Sequence, residues 1–183
     1  MVSFERNSKS NEMITEETFL KKALLEPRKW EYHQGKLVDL EDASSTHRHL
    51  QQNLENLLSH FKSRETPNLL FVPLADAYTY PDLMLAAPTP ILYEAPQQAT
   101  SLLNPTVIIE IYSPTTKLRD TQHKWEFYQN VAGLEQYILV DEQRPLLQLF
   151  TKHAQGWKLE VFKDSEKRAL IGEQEIKLES IYK

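Results

Sequence analysis

Residues 106–112, TVIIEIY, form an almost wholly apolar run that decides the fold of this chain. Pro105 precedes the run and Ser113-Pro114 ends it, so it predicts a strand in the interior of a sheet. One charged residue, Glu110, lies inside it. Burying a lone carboxylate costs several kcal/mol unless a metal ion, a cation or hydrogen bonds compensate the charge. If the strand is buried, we therefore expect a metal ion, a cation or hydrogen-bond donors around Glu110.

A second acid lies in a similar setting. Asp82 interrupts residues 78–86, YTYPDLMLA, which predict another strand. If the two strands are neighbours, Asp82 and Glu110 can form a site for a hard divalent cation, which prefers oxygen ligands. The alternative is that both carboxylates point to solvent at a sheet edge.

Three helices are predicted around these strands. The first covers Glu16–Leu25 and ends before Pro27. The second follows cap candidates at residues 44–46 and has the clearest apolar stripe. The third covers residues 118–132 and ends at Gly133. The stripe of the second helix consists of Leu50, Leu54, Leu57, Leu58 and Phe61.

The rest of the chain predicts mainly strands. A hairpin covers residues 30–40, with its turn at Gln34-Gly35. Residues 88–105 have no clear element and are predicted to be a mobile loop near the site. The pattern indicates an α/β fold, with a mixed sheet flanked by helices and an antiparallel C-terminal extension. The further strands cover residues 69–72, 135–140, 146–151 and 157–162, with two short ones near Leu170 and Ile176.

Length and composition fit one compact domain. We predict a single domain over residues 16–183 after a flexible arm at residues 1–15. The absence of cysteine excludes disulfides and thiolate sites, and no apolar run is long enough to span a bilayer, which favours the cytoplasm. A net charge of −5 argues against non-specific coating of nucleic acid, although it is compatible with a nuclease that has an acidic metal site.

A lysine completes the set of candidate residues. Asp120, Lys124 and Tyr128 are spaced by four, so they form one stripe along the third helix. Lys124 borders the apolar face and can reach toward the sheet. Two carboxylates and a lysine suit phosphodiester hydrolysis, in which a metal ion activates water and the lysine orients it or stabilises the transition state. The alternative is an ordinary surface ion pair between Asp120 and Lys124.

The order of several segments resembles the Uma-type restriction endonuclease family, a branch of the PD-(D/E)XK nuclease superfamily. The resemblance runs from about Glu16 to the end of the chain. It rests on WEY at 30–32, GKLV at 35–38, SS at 44–45 with His47, YPD at 80–82, VIIEIYSPTT at 107–116, Arg119-Asp120 with Lys124 and Tyr128, and EQYILVD at 135–141.

The resemblance implies a restriction-endonuclease-like fold, Mg²⁺ or Mn²⁺ as cofactor, and DNA as substrate. By position, Asp82 and Glu110 match the metal ligands. The superfamily usually has a lysine two residues after the second acid, where Tyr112 stands here. Lys124 on the following helix matches that lysine. Gln34 stands where the family often has an acid.

The resemblance also implies supporting residues around this triad. Glu31 matches the family's acidic residue before the first turn and is a candidate for a contact to the metal site or its ligands. His47 matches a histidine at the start of the second helix, and Asp120 joins these candidates through its spacing to Lys124. Lys117 and Arg119 are candidates for phosphate contacts. The alternatives are an exposed acid at position 31, a cap-region histidine at position 47, and a solvated helix start for the two basic residues.

Three functions remain open on the sequence alone. The leading hypothesis is a metal-dependent endonuclease acting on DNA. The alternatives are a non-catalytic interaction protein that keeps the nuclease fold, and a nuclease acting on RNA or damaged DNA. The apolar residues of the late strands either contribute to a homodimer or complete the core of a monomer. These residues are Leu146, Leu147, Leu149, Phe150 and Trp157.

Overall fold

The computed structural model describes residues 13–26, 28–40, 42–61, 67–96, 99–114, 116 and 119–183, with the backbone alone at Arg119 and Thr121. Residues 1–12 of the predicted arm at residues 1–15 lie outside the described residues. Pro27 also lies outside them. Within the described part of the chain, the elements form a mixed α/β fold, which confirms the predicted class.

The helices are α1 (Glu16–Leu25), α2 (Ser45–Leu57), α3 (Lys124–Tyr128) and α4 (Leu178–Tyr182). Thr15 caps α1 and Ser44 caps α2, because each hydroxyl accepts a hydrogen bond from the backbone N–H three residues later. Both caps match the boundaries predicted from the sequence. Of the helices described, none is long and apolar enough to cross a membrane.

The strands run in chain order and are mostly short. They are β1 (Trp30–His33), β2 (Lys36–Asp39), β3 (Leu70–Val72), β4 (Ala77–Thr79), β5 (Leu83–Ala86), β6 (Leu92–Glu94), β7 (Thr100–Leu102), β8 (Pro105–Tyr112), β9 (Gln136–Asp141), β10 (Leu147–His153), β11 (Gly156–Phe162), β12 (Arg168–Ile171) and β13 (Gln174–Lys177).

The central sheet has the order β11-β10-β9-β8-β5. Strands β8 and β9 are parallel and the other pairs are antiparallel, so the sheet is mixed as predicted. In the β5–β8 pair, Leu83 lies opposite Ile109. Extending this register by one residue sets Asp82 opposite Glu110, which confirms that the two acidic segments are neighbours. A second sheet has the order β2-β1-β4-β3-β7-β6, and β12 pairs with β13.

The core packs against both faces of the central sheet. On one face, Leu50, Leu54 and Leu58 of the α2 region are each 1% exposed, as their predicted stripe requires. On the other face, Phe127 and Tyr128 pack against β8 and β9. The strands that carry the acidic residues are therefore packed on both faces.

The predicted strand at residues 78–86 is wrong in one respect. The chain leaves the second sheet after β4, passes through Tyr80, Pro81 and Asp82, and enters the central sheet as β5. Pro81 has no N–H to donate to a strand ladder, which explains the break. Asp82 therefore lies in a crossing between two sheets.

Two further predictions need correction. Residues 88–105 contain the antiparallel strands β6 and β7, which are too short to give a periodic signal. None of the described residues of that segment, 88–96 and 99–105, lines the candidate site described below. The predicted helix at 118–132 is a π-helical turn, Arg119–His123, followed by α3. Tight turns follow Tyr128, and Gly133 adopts a positive φ of 77° beyond the helix end.

Candidate active site

A cleft of about 610 Å³ lies where α2, the Pro81 crossing, the end of β8 and the start of α3 meet. Most of the predicted site residues line it. The structure brings together His47, Asp82, Glu110, Asp120 and Lys124 along this cleft. These residues are up to 77 positions apart in the sequence, and the five-stranded sheet is what makes them neighbours.

Glu110 lies on β8 and is only 3% exposed. Its Oε1 accepts a hydrogen bond of 2.9 Å from Lys124 Nζ and one of 2.6 Å from the Tyr128 hydroxyl. Burial raises the pKa of Glu110 to about 8, and Lys124 opposes part of that rise. The negative charges of Asp120, Asp82 and Glu31 raise it further. The surroundings therefore leave this carboxylate short of positive charge.

Lys124 is also buried, with 2% of its surface exposed. Its Nζ lies 2.9 Å from Glu110 Oε1, 3.0 Å from Glu31 Oε1 and 3.6 Å from Asp120 Oδ1. One ammonium group thus faces three carboxylates. This geometry shows that a surface ion pair between Asp120 and Lys124 is the wrong interpretation, and that Glu31, at 6% exposure, is no exposed acid.

Asp82 is held from two sides. Its Oδ1 lies 2.8 Å from His47 Nε2, and its Oδ2 accepts a hydrogen bond of 2.7 Å from the N–H of Ile111. Gln51 on α2 donates to the Asp82 carbonyl oxygen at 2.8 Å. Burial lowers the pKa of His47, but the hydrogen bond with Asp82 and the negative charges of Asp82, Glu142 and Asp120 together raise it more, so the net direction is upward. His47 therefore orients Asp82 from the start of α2.

Several contacts in this site were not predicted. Tyr128 connects Glu110 to the Thr79 hydroxyl, at 2.8 Å, and burial raises the pKa of its own phenol. The Tyr137 hydroxyl donates to the Asp120 carbonyl oxygen at 2.6 Å and so anchors the π-helical turn. The spacing of Tyr128 from Lys124 was a usable signal. Thr79 and Tyr137 lie on strands, and no sequence pattern marked their side chains as site residues.

The predicted phosphate contacts fall where the structure gives no side chains. Lys117 lies outside the described residues, and Arg119 is described by its backbone alone. Two other basic residues, Arg28 and Lys29, line the cleft instead. Arg28 Nε donates to Asp39 Oδ1 at 2.6 Å, whereas Lys29 Nζ lies 5.3 Å above the Tyr80 ring. They follow directly after Pro27, between predicted elements, and gave no periodic signal.

The donor chemistry of the cleft fits a hard divalent cation. Asp82 and Glu110 both line this cavity, and burial together with the neighbouring negative charges raises the pKa of Glu110. Among the described residues, no three His, Asp or Glu side chains form a ready metal cage. Mg²⁺ commonly binds through one or two carboxylates and takes its other ligands from water and substrate phosphates. A site with two protein carboxylates meets that requirement.

The raised pKa of Glu110 predicts how stability depends on pH. Its pKa lies above the usual value of 4.5, so its contribution is complete below about pH 4.5 and is lost as pH rises through about 8. His47 acts in the same direction, because its pKa is raised from 6.5. In chelator, the free energy of unfolding of the wild-type protein should fall between about pH 5 and 8. Glu110→Gln should flatten most of this fall.

Urea unfolding curves at a series of pH values measure this effect. Glu94→Gln is the matched control, because Glu94 is an exposed acid on β6, away from the cleft. The control should keep the wild-type pH dependence. An unchanged slope in Glu110→Gln would show that Glu110 is already ionised in the folded protein without metal.

Comparison with known proteins bears on the family and the fold. The uncharacterized protein sll1609 of Synechocystis is 27% identical over 139 residues, which cover 73% of this chain and 77% of that protein. A crystal structure of "a putative nuclease belonging to DUF820" from Anabaena variabilis superimposes with a TM-score of 0.64 at 16% identity, covering 90% of this chain and 97% of the other. That likeness supports the predicted fold. The family model described as "Uma2: Putative restriction endonuclease" matches residues 17–179, and the chain belongs to this family.

Proposed function

We propose that this protein is a metal-dependent endonuclease that hydrolyses phosphodiester bonds in DNA. Membership of the family supports a nuclease-type function. The observation that carries the proposal is the meeting of Asp82, Glu110 and Lys124 in one cleft, where two carboxylates face a cavity beside a buried ammonium group. Such a set supplies metal ligands and a cation for a transferring phosphoryl group.

Asp82 and Glu110 are the residues that would hold Mg²⁺ or Mn²⁺. When bound, the ion lowers the pKa of a coordinated water and polarises the scissile phosphate. The protein presets both ligands: His47 and the Ile111 N–H fix the two oxygens of Asp82, and Tyr128 holds Oε1 of Glu110. Fixed ligands reduce the reorganisation that the reaction would otherwise require.

Lys124 has the second chemical role. Its ammonium lies at hydrogen-bond distance from Glu110, so it is placed to orient the attacking water or to stabilise charge on the phosphate. Glu31 and Asp120 hold it in position, because both carboxylates lie within 3.6 Å of Nζ. This arrangement gives Glu31 and Asp120 supporting roles through Lys124.

Lys29 is a phosphate contact in this proposal, beside Lys117 and Arg119. It is an exposed cation at the rim of the cleft next to Asp82 and forms no ion pair with any described residue. Lys29→Ala should weaken binding of DNA in Ca²⁺ similarly across sequences and reduce the slope of log K against log salt by about one. Fluorescence anisotropy at several salt concentrations measures both quantities.

Lys36→Ala controls for the loss of one positive charge, because Lys36 is exposed on β2 and does not line the cleft. It should leave the salt slope unchanged. Equal losses in the two variants would mean that DNA is attracted by overall charge and not guided by Lys29.

The function itself is tested on the wild-type protein by two measurements. Mn²⁺ or Mg²⁺ should raise the melting temperature, because a ligand that binds only the folded state stabilises it by mass action. Supercoiled plasmid should be nicked or linearised in metal and remain intact in chelator. Linear, single-stranded and RNA substrates in parallel define the substrate class. Intact nucleic acid in every metal would contradict the proposal.

A non-catalytic interaction protein is the second candidate. The observation that favours it is that Lys124 contacts three carboxylates, as in a purely structural charge cluster. The two candidates differ in their response to metal: a structural cluster predicts no rise in melting temperature at millimolar Mn²⁺ and no cleavage of any nucleic acid.

A further inference from the structure

Strand β11 forms one edge of the central sheet. It pairs with β10 on one side, and no described strand pairs with it on the other. With Gly156–Phe162 it spans seven residues, which is long for an open edge. An exposed edge of this length is a template for pairing with another strand, unless proline, bulges or coverage prevent it.

The hairpin register shows which backbone groups face the open edge. Two residues, Ala154 and Gln155, connect β10 to β11, and His153 lies opposite Gly156. A two-residue loop closes on a hydrogen-bonded pair, and such pairs alternate along an antiparallel ladder. The N–H and C=O groups of residues 157, 159 and 161 therefore point away from β10. The edge offers three residues for a further ladder.

The side chains of β11 differ between the two faces. Trp157, Leu159 and Val161 share one face, and Leu159 and Val161 are 47% and 41% exposed. On the opposite face, Lys158 Nζ lies 3.3 Å from Glu160 Oε1. The strand therefore carries an exposed apolar row on one side and an alternating pair of charges on the other.

We propose that β11 pairs with β11 of a second copy of this chain, antiparallel and centred on Leu159. In that register each Lys158 lies opposite Glu160 of the other copy, and each Trp157 lies opposite Val161. Leu159 pairs with its own equivalent through outward-facing backbone groups. The strand is thus self-complementary in charge, in apolar contact and in hydrogen bonding.

Other registers are less favourable. Centring the pair on residue 158 or 160 sets two like charges directly opposite each other, which is destabilising. Centring it on residue 157 or 161 leaves part of each strand without a partner residue, because β11 ends at Gly156 and Phe162. The register centred on Leu159 is the one that uses the whole strand and matches its charges.

This dimer does not complete the nuclease site. Strand β8 lies three positions from β11 in the sheet, so the two Glu110 residues of a dimer are separated by seven strand spacings. At about 4.8 Å per spacing the separation is about 34 Å along the combined sheet. Each cleft is formed within one chain, and the proposed interface stands or falls independently of the proposed activity.

Sedimentation velocity across a wide range of protein concentration tests the interface. The wild-type chain should dimerise. Leu159→Lys should be monomeric, whereas Leu170→Lys, at a leucine of β12 that is 53% exposed, should still dimerise. Circular dichroism confirms that each variant is folded. A wild-type protein that stays monomeric, or a Leu159→Lys variant that still dimerises, would overturn the proposal.

A charge exchange tests the register. Lys158→Glu and Glu160→Lys should each raise the dimer dissociation constant about tenfold, because each places like charges opposite one another. The double variant should restore wild-type affinity. If the double variant is weaker than either single variant, the proposed register is wrong. The metal-dependent melting shift should be the same in all of these proteins, which separates a failed interface from a failed active site.

Discussion

Lys124→Met should lower the free energy of unfolding by about 3–5 kcal/mol in metal-free buffer, the usual cost of removing one partner of a buried ion pair. Lys124 is 2% exposed and contacts Glu31, Glu110 and Asp120. Methionine keeps most of its volume but supplies no positive charge. Three carboxylates would then share a buried space without a cation. Urea unfolding at about pH 9 in chelator measures the loss, because the pKa of Glu110 is raised to about 8 and its carboxylate is ionised there.

Lys21→Met is the matched control for this experiment. Lys21 also forms an ion pair at helical spacing, with Glu17 at 2.7 Å, but both side chains are about 60% exposed. Its loss should leave the free energy of unfolding almost unchanged, because solvent screens an exposed ion pair. If the two variants lose similar stability, then Lys124 does not carry the charge balance of the cleft.

Asp82→Asn should remove the rise in melting temperature with Mn²⁺ and reduce plasmid cleavage by at least about a hundredfold. Asparagine has nearly the same shape, and its amide can still accept from the Ile111 N–H. It has no negative charge with which to hold a divalent cation. The variant therefore separates the folding of the cleft from its chemistry. Differential scanning fluorimetry and a plasmid nicking assay provide the two readouts.

Asp164→Asn is the control, because Asp164 is exposed and does not line the cleft. It should match the wild-type protein in both assays. Cleavage by Asp82→Asn at the wild-type rate would remove Asp82 from the proposed mechanism, whatever the metal does to stability.

The sequence predicts the central sheet and part of the site because both depend on local patterns. An apolar run such as β8 requires burial, and a buried Glu110 requires compensation, so both could be read from a short segment. The apolar stripe of α2 is equally local. Asp82 was a candidate for the same reason, as an acid in an apolar segment, but its pairing with Glu110 was only a condition until the register of β5 and β8 showed it.

Other features depend on contacts between distant segments and gave no local signal. The burial of Glu31 is one example, since it arises only when β1 brings the carboxylate within 3.0 Å of Lys124 Nζ. Strands β6 and β7 have three residues each, too few to show a period. The helix predicted at residues 118–132 ends early because the hydrogen bonds change after Gln129: Asn130 and Val131 donate to the carbonyl oxygens three residues earlier instead of four.

The crossing at Pro81 has a consequence for how the protein is made. Asp82 acquires its position only when β4 has joined one sheet, β5 has joined the other, and the two have docked. His47 must arrive from α2 and Lys124 from a later segment, so the constellation depends on pairings of long sequence separation, which form slowly. A nascent chain has no assembled centre until synthesis has passed Lys124. Incompletely synthesised chains that end before Lys124 therefore lack the assembled cleft.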